Sequence, residues 1–183
     1  MAELPGKSAN DLGEAAPGQA AKPHHYRRTR GSLVIVYLDS SALVKLYVTE
    51  NNSSAVARFV RRRRKPLLVS PLHELELKNG LRLKAFRKEA SRDTIGATLR
   101  HLGDDLASGI CVRPPLDWPE VLEVAELLSE RYAAIVGCRS LDLLHVASAR
   151  VLKAQAFLTF DRRQATLARK AGLKVIGIHT GAS

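Results

Sequence analysis

The stretch VIVYLDSS at residues 34–41 decides the fold, because a fully apolar run ends there on a carboxylate followed by two hydroxyls. A continuous apolar run predicts a strand buried on both faces of a parallel sheet. In open α/β sheets, ligands bind beyond the carboxyl ends of such strands, so Asp39 lies where these proteins keep their functional groups. Asp39 could equally cap the helix that follows, since Asp accepts hydrogen bonds from the free amides of a helix N-terminus.

Further acidic side chains occupy comparable places later in the chain. Charged residues are placed in apolar segments chiefly when they are paired or bind a cation. Acids that converge at one sheet edge would form a metal site, because Mg²⁺ takes oxygen ligands and is commonly held by one or two carboxylates plus substrate phosphate. The acids are Asp39 after the first strand, Glu76 or Glu74 in a predicted helix over 72–89, Asp142 in a predicted helix over 140–153, and Asp161 after a predicted strand over 156–159.

Several strings of sequence carry a family resemblance in the same order. They are YLDSSALVKLY at 37–47, SPLHELELKNGLRLK at 70–84, SLDLLHVASA at 140–149 and LTFDRRQATLARKAGLKVI at 158–176. Together they resemble the successive motifs of PIN-domain ribonucleases, specifically VapC-type toxins of toxin–antitoxin pairs. The resemblance implies a PIN-like three-layer α/β/α sandwich around a central, mainly parallel sheet of about four to five strands, and alternating strands and helices predict the same α/β class.

The resemblance also implies roles for the acids. Asp39, Glu76, Asp142 and Asp161 match the catalytic positions of the family, with Asp39 and Asp142 as metal ligands. Glu76 matches better than Glu74, and only one of these glutamates should face the site, because residues two apart point to different faces of a helix. Glu74 is then expected in solvent or in an ion pair.

Polar side chains near these acids have two interpretations each. Ser40 and Thr159 either hydrogen-bond the metal ligands or act as local capping hydroxyls. Asp161 either belongs to the site or caps the helix that follows it. His145 lies one turn after Asp142, where a histidine in an apolar helix is more often a satisfied core group than a base.

The chain of 183 residues carries a formal net charge of +11, with a sequence pI of about 10.1. Such a surplus attracts polyanions and raises encounter rates with nucleic acid. The densest patch is therefore a candidate RNA-binding segment, although cations are also favoured at a solvated helix C-terminus. This patch consists of Arg61, Arg62, Arg63, Arg64 and Lys65.

Composition predicts one domain over residues 33–180, because a chain with 45% hydrophobic residues and this length suits a single core. Residues 1–32 are rich in Ala, Gly and Pro, and we expect a disordered basic tail there, unless the true start of the protein lies near Val34. The chain has no apolar run long enough to span a bilayer, and Cys111 and Cys138 lack metal-ligand spacing. These features predict a cytoplasmic protein without a membrane partner.

The motifs and the charge together predict a metal-dependent endoribonuclease, with Mg²⁺ or Mn²⁺ as cofactor. By resemblance, the protein is a toxin that cleaves tRNA or rRNA, forms a homodimer and is neutralised by a VapB-like antitoxin. Two other interpretations stay open, namely a PIN nuclease of RNA processing without an antitoxin and a nonenzymatic RNA-binding module. A binding module would explain the positive charge but not the acids at the ends of strands.

Overall fold

The structure is a computed structural model, and it describes residues 34–177. The tail predicted over residues 1–32 and the last residues of the predicted domain lie outside this range. Within it, short strands alternate with longer helices. In chain order they are β1 (Val36–Leu38), α1 (Ser40–Leu43), a 3₁₀ turn (Val44–Leu46), α2 (Ser53–Arg63), β2 (Leu67–Leu68), α3 (Pro71–Phe86), α4 (Arg92–Ala107), β3 (Cys111–Val112), α5 (Trp118–Val136), α6 (Ser140–Val151), β4 (Ala156–Leu158), α7 (Arg162–Lys170) and β5 (Lys174–Ile176).

All strand pairs among the described residues are parallel. They form two ladders, a three-stranded sheet in the order β1-β4-β5 and a two-stranded sheet of β2 and β3. In the larger sheet, Val36, Ala156 and Lys174 stand side by side at the start of the strands. The predicted four to five parallel strands are therefore present, although they are divided between two ladders.

The sheet carries a hydrophobic core on each face, as alternation along a strand requires. Val36 and Leu38 of β1 pack into one core, together with residues of α1, α3 and α4. Tyr37 points into the other core, together with residues of α5, α6 and α7. Its ring stacks on Phe157, the residue beside it on β4, with the ring centroids 5.5 Å apart. The predicted three-layer α/β/α sandwich is confirmed.

Two helices end earlier than the sequence predicts. The helix predicted over 72–89 ends at Phe86, because Lys88 takes a left-handed φ of 60° that an α-helix does not accommodate. The helix predicted over 140–153 ends at Val151, and Lys153 has a left-handed φ of 55°. Helix α5 ends before Gly137, whose φ of 70° makes it a left-handed cap.

The topology places the acids at one edge of the sheet. Asp39 directly follows β1, and its amide donates a 3.0 Å hydrogen bond to the carbonyl of Leu158, the last residue of β4. Because parallel strands end at the same edge, the residues after β1 and β4 meet there. None of the helices between residues 34 and 177 combines the length and the apolar composition needed to cross a bilayer.

Candidate active site

Asp39 lies directly after the end of β1 and caps the helix that follows it. Its Oδ1 caps α1 by accepting a 2.9 Å hydrogen bond from the amide of Ala42. The hydroxyl of Ser41 donates to both carboxylate oxygens at 2.8 and 2.9 Å, and that of Thr159 donates to Oδ2 at 2.6 Å. The side chain is 2% exposed. Burial raises the pKa of the Asp39 carboxyl, although the hydrogen bonds from Thr159 and Ser41 act in the opposite direction.

Glu76 lies on α3 and is held from two sides through a single oxygen. Its Oε2 accepts a 2.5 Å hydrogen bond from the hydroxyl of Ser40 and lies 2.5 Å from Nε2 of His145. Burial acts to raise the pKa of Glu76, but the imidazole of His145 and the hydroxyl of Ser40 outweigh it, and the pKa is lowered. The other oxygen, Oε1, accepts no hydrogen bond from residues 34–177. Glu76 is therefore ionised, with one oxygen available for a ligand.

His145 is both a core group and a partner of Glu76. The ring is buried, with its Nδ1 3.0 Å from the hydroxyl of Tyr37 on β1. Because Nε2 faces a carboxylate, a proton resides on Nε2 and is donated to Glu76. Helix α6 thus contributes a side chain that orients a glutamate of α3.

A second buried histidine fixes the end of β1. The amide of Ser70 donates to Nδ1 of His73 at 3.1 Å, and Nε2 lies 2.7 Å from the carbonyl of Leu38. These partners require the neutral tautomer with its proton on Nε2. Burial, reinforced by the nearby ring of His145, lowers the pKa of His73 to about 3. The carbonyl just before Asp39 is thereby held by an uncharged donor.

Asp161 and Asp142 both accept backbone hydrogen bonds near helix N-termini. Oδ1 of Asp161 caps α7, accepting from the amides of Arg163 at 2.7 Å and Gln164 at 3.0 Å. Oδ2 of Asp142 accepts from the amide of Arg139 at 2.8 Å. The capping role that the sequence left open for Asp161 is therefore present in the structure, and Asp142 has a similar one.

Hydrogen bonds connect these acids into one cluster. Thr159 donates to Asp39 and accepts from the amide of Asp161 at 3.0 Å. The side chain of Gln164 then reaches Oδ1 of Asp142 at 3.4 Å. At the other end, Ser40 is the residue after Asp39 and donates to Glu76. The structure thus brings all the predicted acids to one sheet edge, together with both predicted hydroxyls.

Gln164 is a member of this cluster that the sequence did not indicate. It is 3% exposed, and its Oε1 has no hydrogen-bond partner in the part of the chain that the structure describes. The one available signal was its position three residues after Asp161, on the first turn of α7.

Glu74 has partners of its own away from the cluster. It forms ion pairs with Lys78 at 2.7 Å and with Arg113 at 2.6 Å. The hydrogen bond from Arg113 has the largest effect on the pKa of Glu74 and lowers it. Burial acts to raise the pKa, but Lys78 also lowers it, and the pKa stays below its usual value. Glu74 and Glu76 therefore point to different surroundings, as their spacing of two residues requires.

The donor set of the edge suits a hard divalent cation in kind, because carboxylate and hydroxyl oxygens are the ligands that Mg²⁺ takes. Across residues 34–177, however, no three His, Cys, Asp or Glu side chains are grouped closely enough to hold a metal ion. In addition, the protein's own donors occupy both oxygens of Asp39. Binding would require the Ser41 hydroxyl to turn away.

The arginine cluster lies at the opposite edge of the sheet. Arg61, Arg62 and Arg63 form the last turn of α2, and Nη2 of Arg63 donates a 2.7 Å hydrogen bond to the carbonyl of Val34. Val34 precedes β1, whereas Asp39 follows it. Five residues of extended chain span about 16 Å. The structure therefore separates this cluster from the acids.

Comparisons with known proteins agree with the fold and the motifs. Residues 36–170 match the PIN domain family. The chain is 29% identical over 148 residues to ribonuclease VapC46 of Mycobacterium tuberculosis, covering 79% of this chain and 98% of that protein. The structure of PAE2754 from Pyrobaculum aerophilum has a TM-score of 0.50 at 24% identity, over 78% of this chain and 84% of that one. The structure of FitAcB from Neisseria gonorrhoeae has a TM-score of 0.51 at 16% identity, over 78% of this chain and 97% of that one.

Proposed function

Because this chain belongs to the PIN-domain family, we propose that it is a metal-dependent endoribonuclease that hydrolyses RNA phosphodiester bonds. The observation that carries the proposal is the set of acids at one sheet edge, where hydrogen bonds through Thr159 and Gln164 link Asp39, Asp161 and Asp142, and Ser40, the residue after Asp39, donates to Glu76. The similarity to ribonuclease VapC46 over most of both chains supports the same reaction. A binding module that only held phosphates would have no use for clustered carboxylates, which repel anions.

We assign Asp39 and Asp142 as the residues that would hold Mg²⁺ or Mn²⁺. When bound, such an ion activates water and stabilises charge on oxygens during displacement at phosphorus. Thr159 orients the carboxylate of Asp39 through Oδ2 for this role, and the Ser41 hydroxyl would turn away as the ion binds. Gln164 holds Oδ1 of Asp142.

The other two acids complete the cluster in this proposal. Oε1 of Glu76 accepts no hydrogen bond from residues 34–177, while His145 and Ser40 fix Oε2. Asp161 contributes its charge while also capping α7. Because both carboxylates are already oriented by protein donors, little reorganisation is needed when the substrate arrives.

We further propose that the protein is the toxin of a toxin–antitoxin pair and acts in the cytoplasm on tRNA or rRNA. Its partner would then be a VapB-like antitoxin. The similarity to VapC46 supports this assignment. Growth arrest on expression of the wild-type protein, with no arrest by Asp39→Asn, is the expected result. Cleavage without growth arrest would favour a nuclease of RNA processing.

A homodimer is also part of the proposal, and an exposed apolar surface on α3 supports it. Leu75 and Leu83 are 63% and 40% exposed, and Phe86 is 83% exposed. A second copy could bury these side chains. We expect Phe86→Asp to convert the dimer into a monomer in sedimentation experiments. A wild-type protein that sediments as a monomer would contradict the dimer.

The nuclease proposal is tested by incubating the purified protein with labelled tRNA and rRNA in Mg²⁺ or Mn²⁺. Asp39→Asn is the informative variant, because Asn also caps helices well and α1 keeps its N-cap. Discrete fragments that disappear with EDTA and with Asp39→Asn are expected, while RNA binding by the variant is retained or improved. Cleavage that persists in the variant would refute the catalytic assignment.

A further inference from the structure

A second charged surface lies at the sheet edge opposite the acids. Three connections meet there, each of which leads from a helix into a parallel strand. We call the surface that they form the basic edge. Because the starts of β1, β4 and β5 are in register, the chain segments before these strands share one edge. Each connection is counted from the last residues of its helix. The connections are residues 61–66 from the end of α2 to β2, 150–155 from the end of α6 to β4, and 169–173 from the end of α7 to β5, with Lys174 at the start of β5.

Direct contacts join the connections into one surface. Arg63 donates to the carbonyl of Val34, and the amide of the next residue, Ile35, donates a 2.6 Å hydrogen bond to the side chain of Gln155. The amide of Lys174 in turn donates to the carbonyl of Gln155 at 3.1 Å. The connections from α2, α6 and α7 therefore contact the same short segment before β1, directly or through Gln155.

The basic edge contains many cations and no acid. Neither Asp nor Glu occurs in residues 61–66, 150–155 or 169–174. Within residues 34–177, no cation of this surface takes part in an ion pair. The exposed cations are Arg61, Arg62, Arg64, Lys65, Arg150, Lys153, Arg169, Lys170 and Lys174. These like charges repel one another, and a polyanion would relieve the repulsion.

The backbone of the basic edge places cations where glycine is the usual residue. Each connection has a residue in the left-handed region just after its helix. In the connection from α7 this residue is Gly172, with a φ of 83°, whereas in the other two it is Arg64 at 50° and Lys153 at 55°. A residue with a Cβ is disfavoured in this conformation. The two cations therefore occupy their positions against the local backbone preference.

The composition of the surface favours RNA over a protein or a membrane. Protein interfaces are organised around buried aromatic and apolar anchors, and membrane-binding surfaces insert large apolar side chains. None of the large apolar side chains that are exposed within residues 34–177 belongs to the three connections. Val34 is the exposed apolar side chain in the segment that the connections contact, and it is too small to anchor a protein or a membrane by itself. Closely spaced, exposed cations are instead suited to a row of phosphates, which are held mainly by charge.

We propose that the basic edge is a second RNA-binding surface, which holds phosphates of the substrate on the side of the domain opposite the acids. This inference rests on the proposed ribonuclease function and extends it. The acids and the basic edge are separated by the length of β1, roughly 16 Å, and the path over the surface is longer. The substrate is therefore an RNA large enough to contact both edges.

The test compares RNA binding by variants in the Asp39→Asn background, which separates binding from cleavage. The first variant, R64G/K153G/K174Q, removes three exposed cations, and glycine suits the two left-handed positions, so the fold is preserved. The matched control is K88G/R92Q/R100Q, in which three exposed cations outside the basic edge are removed and Lys88 is likewise left-handed. Affinity for labelled tRNA and rRNA is measured by fluorescence anisotropy at several salt concentrations.

We expect the first variant to bind at least about tenfold more weakly, with a salt slope lower by about 2, since each lost phosphate contact contributes about 0.7 to 0.9. The control should keep both the affinity and the slope. Equal losses in the two variants would overturn the proposal, because total charge would then explain binding. Unchanged binding by the first variant would also overturn it and leave the surface to an acidic protein.

Failure of the ribonuclease proposal itself has a different signature. In that case the wild-type protein would cleave no RNA in Mg²⁺ or Mn²⁺, whatever the binding results. If the wild-type protein cleaves RNA and R64G/K153G/K174Q in the Asp39→Asn background binds tRNA and rRNA as tightly as Asp39→Asn alone, only the second surface is refuted.

Discussion

The imidazole Nε2 of His145 lies 2.5 Å from Oε2 of Glu76, across 69 residues of sequence. The contact joins α6 to α3, and the 3.0 Å hydrogen bond from the other side of the ring to Tyr37 adds β1 to the same arrangement. Glu76 is only partly covered, with its side chain 23% exposed, whereas the side chain of His145 is 2% exposed. A buried ring thus fixes one oxygen of a carboxylate whose other oxygen is available at the sheet edge.

We expect His145→Leu to reduce RNA cleavage about 10- to 100-fold, because Glu76 would lose the donor that fixes its Oε2, and supporting partners of site residues typically contribute that much. His145→Gln should recover part of the loss, since an amide N–H can still donate to Glu76. Initial rates on labelled RNA at saturating Mn²⁺ compare the two variants with the wild type. Wild-type cleavage by His145→Leu would show that the ring only fills the core.

The two neighbouring glutamates offer a matched pair of variants. Glu76→Gln should lower cleavage by about 100-fold or more, because it removes a charge preorganised at the reacting edge. Glu74→Gln should leave cleavage unchanged, since Glu74 contacts Lys78 and Arg113 instead. Partly exposed ion pairs of this kind contribute at most about 1 kcal/mol. Initial rates on the same labelled RNA compare the variants, and equal losses in both would contradict the assignment.

Substitutions of Asp161 separate its two roles. Asp161→Ala removes the cap of α7 and should lower the free energy of unfolding by about 1 kcal/mol, whereas Asp161→Asn keeps a capping side chain and should cost a few tenths. If the negative charge of Asp161 also contributes to catalysis, as we propose, both variants lose cleavage. Urea denaturation measures the capping role, and cleavage assays on the same variants measure the catalytic role. An Asp161→Asn protein with wild-type cleavage would limit the residue to capping.

Stability should depend on His73 below neutral pH. Its pKa is about 3 in the folded protein and about 6.5 when unfolded, so the unfolded chain binds the proton between these values. The free energy of unfolding should therefore fall as the pH is lowered, by about 1.4 kcal/mol from pH 7.5 to 5.5. His73→Gln lacks this contribution and should lose correspondingly less over the same range. Urea denaturation measures the free energy of unfolding at both pH values. An equal decrease in the wild type and in His73→Gln would disprove the contribution of His73.

The sequence was sufficient to predict the sheet edge but not the contacts made there. Apolar runs that end on Asp39 and Asp161 indicate parallel strands and the edge at which they finish. The contact of Glu76 with His145 depends on how α3 and α6 pack against β1, which no local pattern encodes. The same holds for Gln164, whose side chain becomes relevant only once α7 lies beside Asp142.

The position of the arginine cluster could have been predicted more fully. Residues that precede a parallel strand lie at the opposite edge from residues that follow one. Arg61 to Lys65 precede β2, so the order of elements already separates them from Asp39. The order of the elements does not predict that three connections meet at this edge. That depends on the pairing of β1 with β4, which lies far away in sequence.

The hydrogen bond from Thr159 to Asp39 spans 120 residues, and it bears on how the protein is made. Thr159 is added to the chain 120 residues after Asp39, and at roughly 5–20 residues per second the interval is about 6–24 s. During that time the nascent chain has neither β4 nor the residues after it, so the cluster cannot assemble. With the function that we propose, the nuclease is therefore inactive while most of its chain is being synthesised, and becomes competent only when translation is nearly complete.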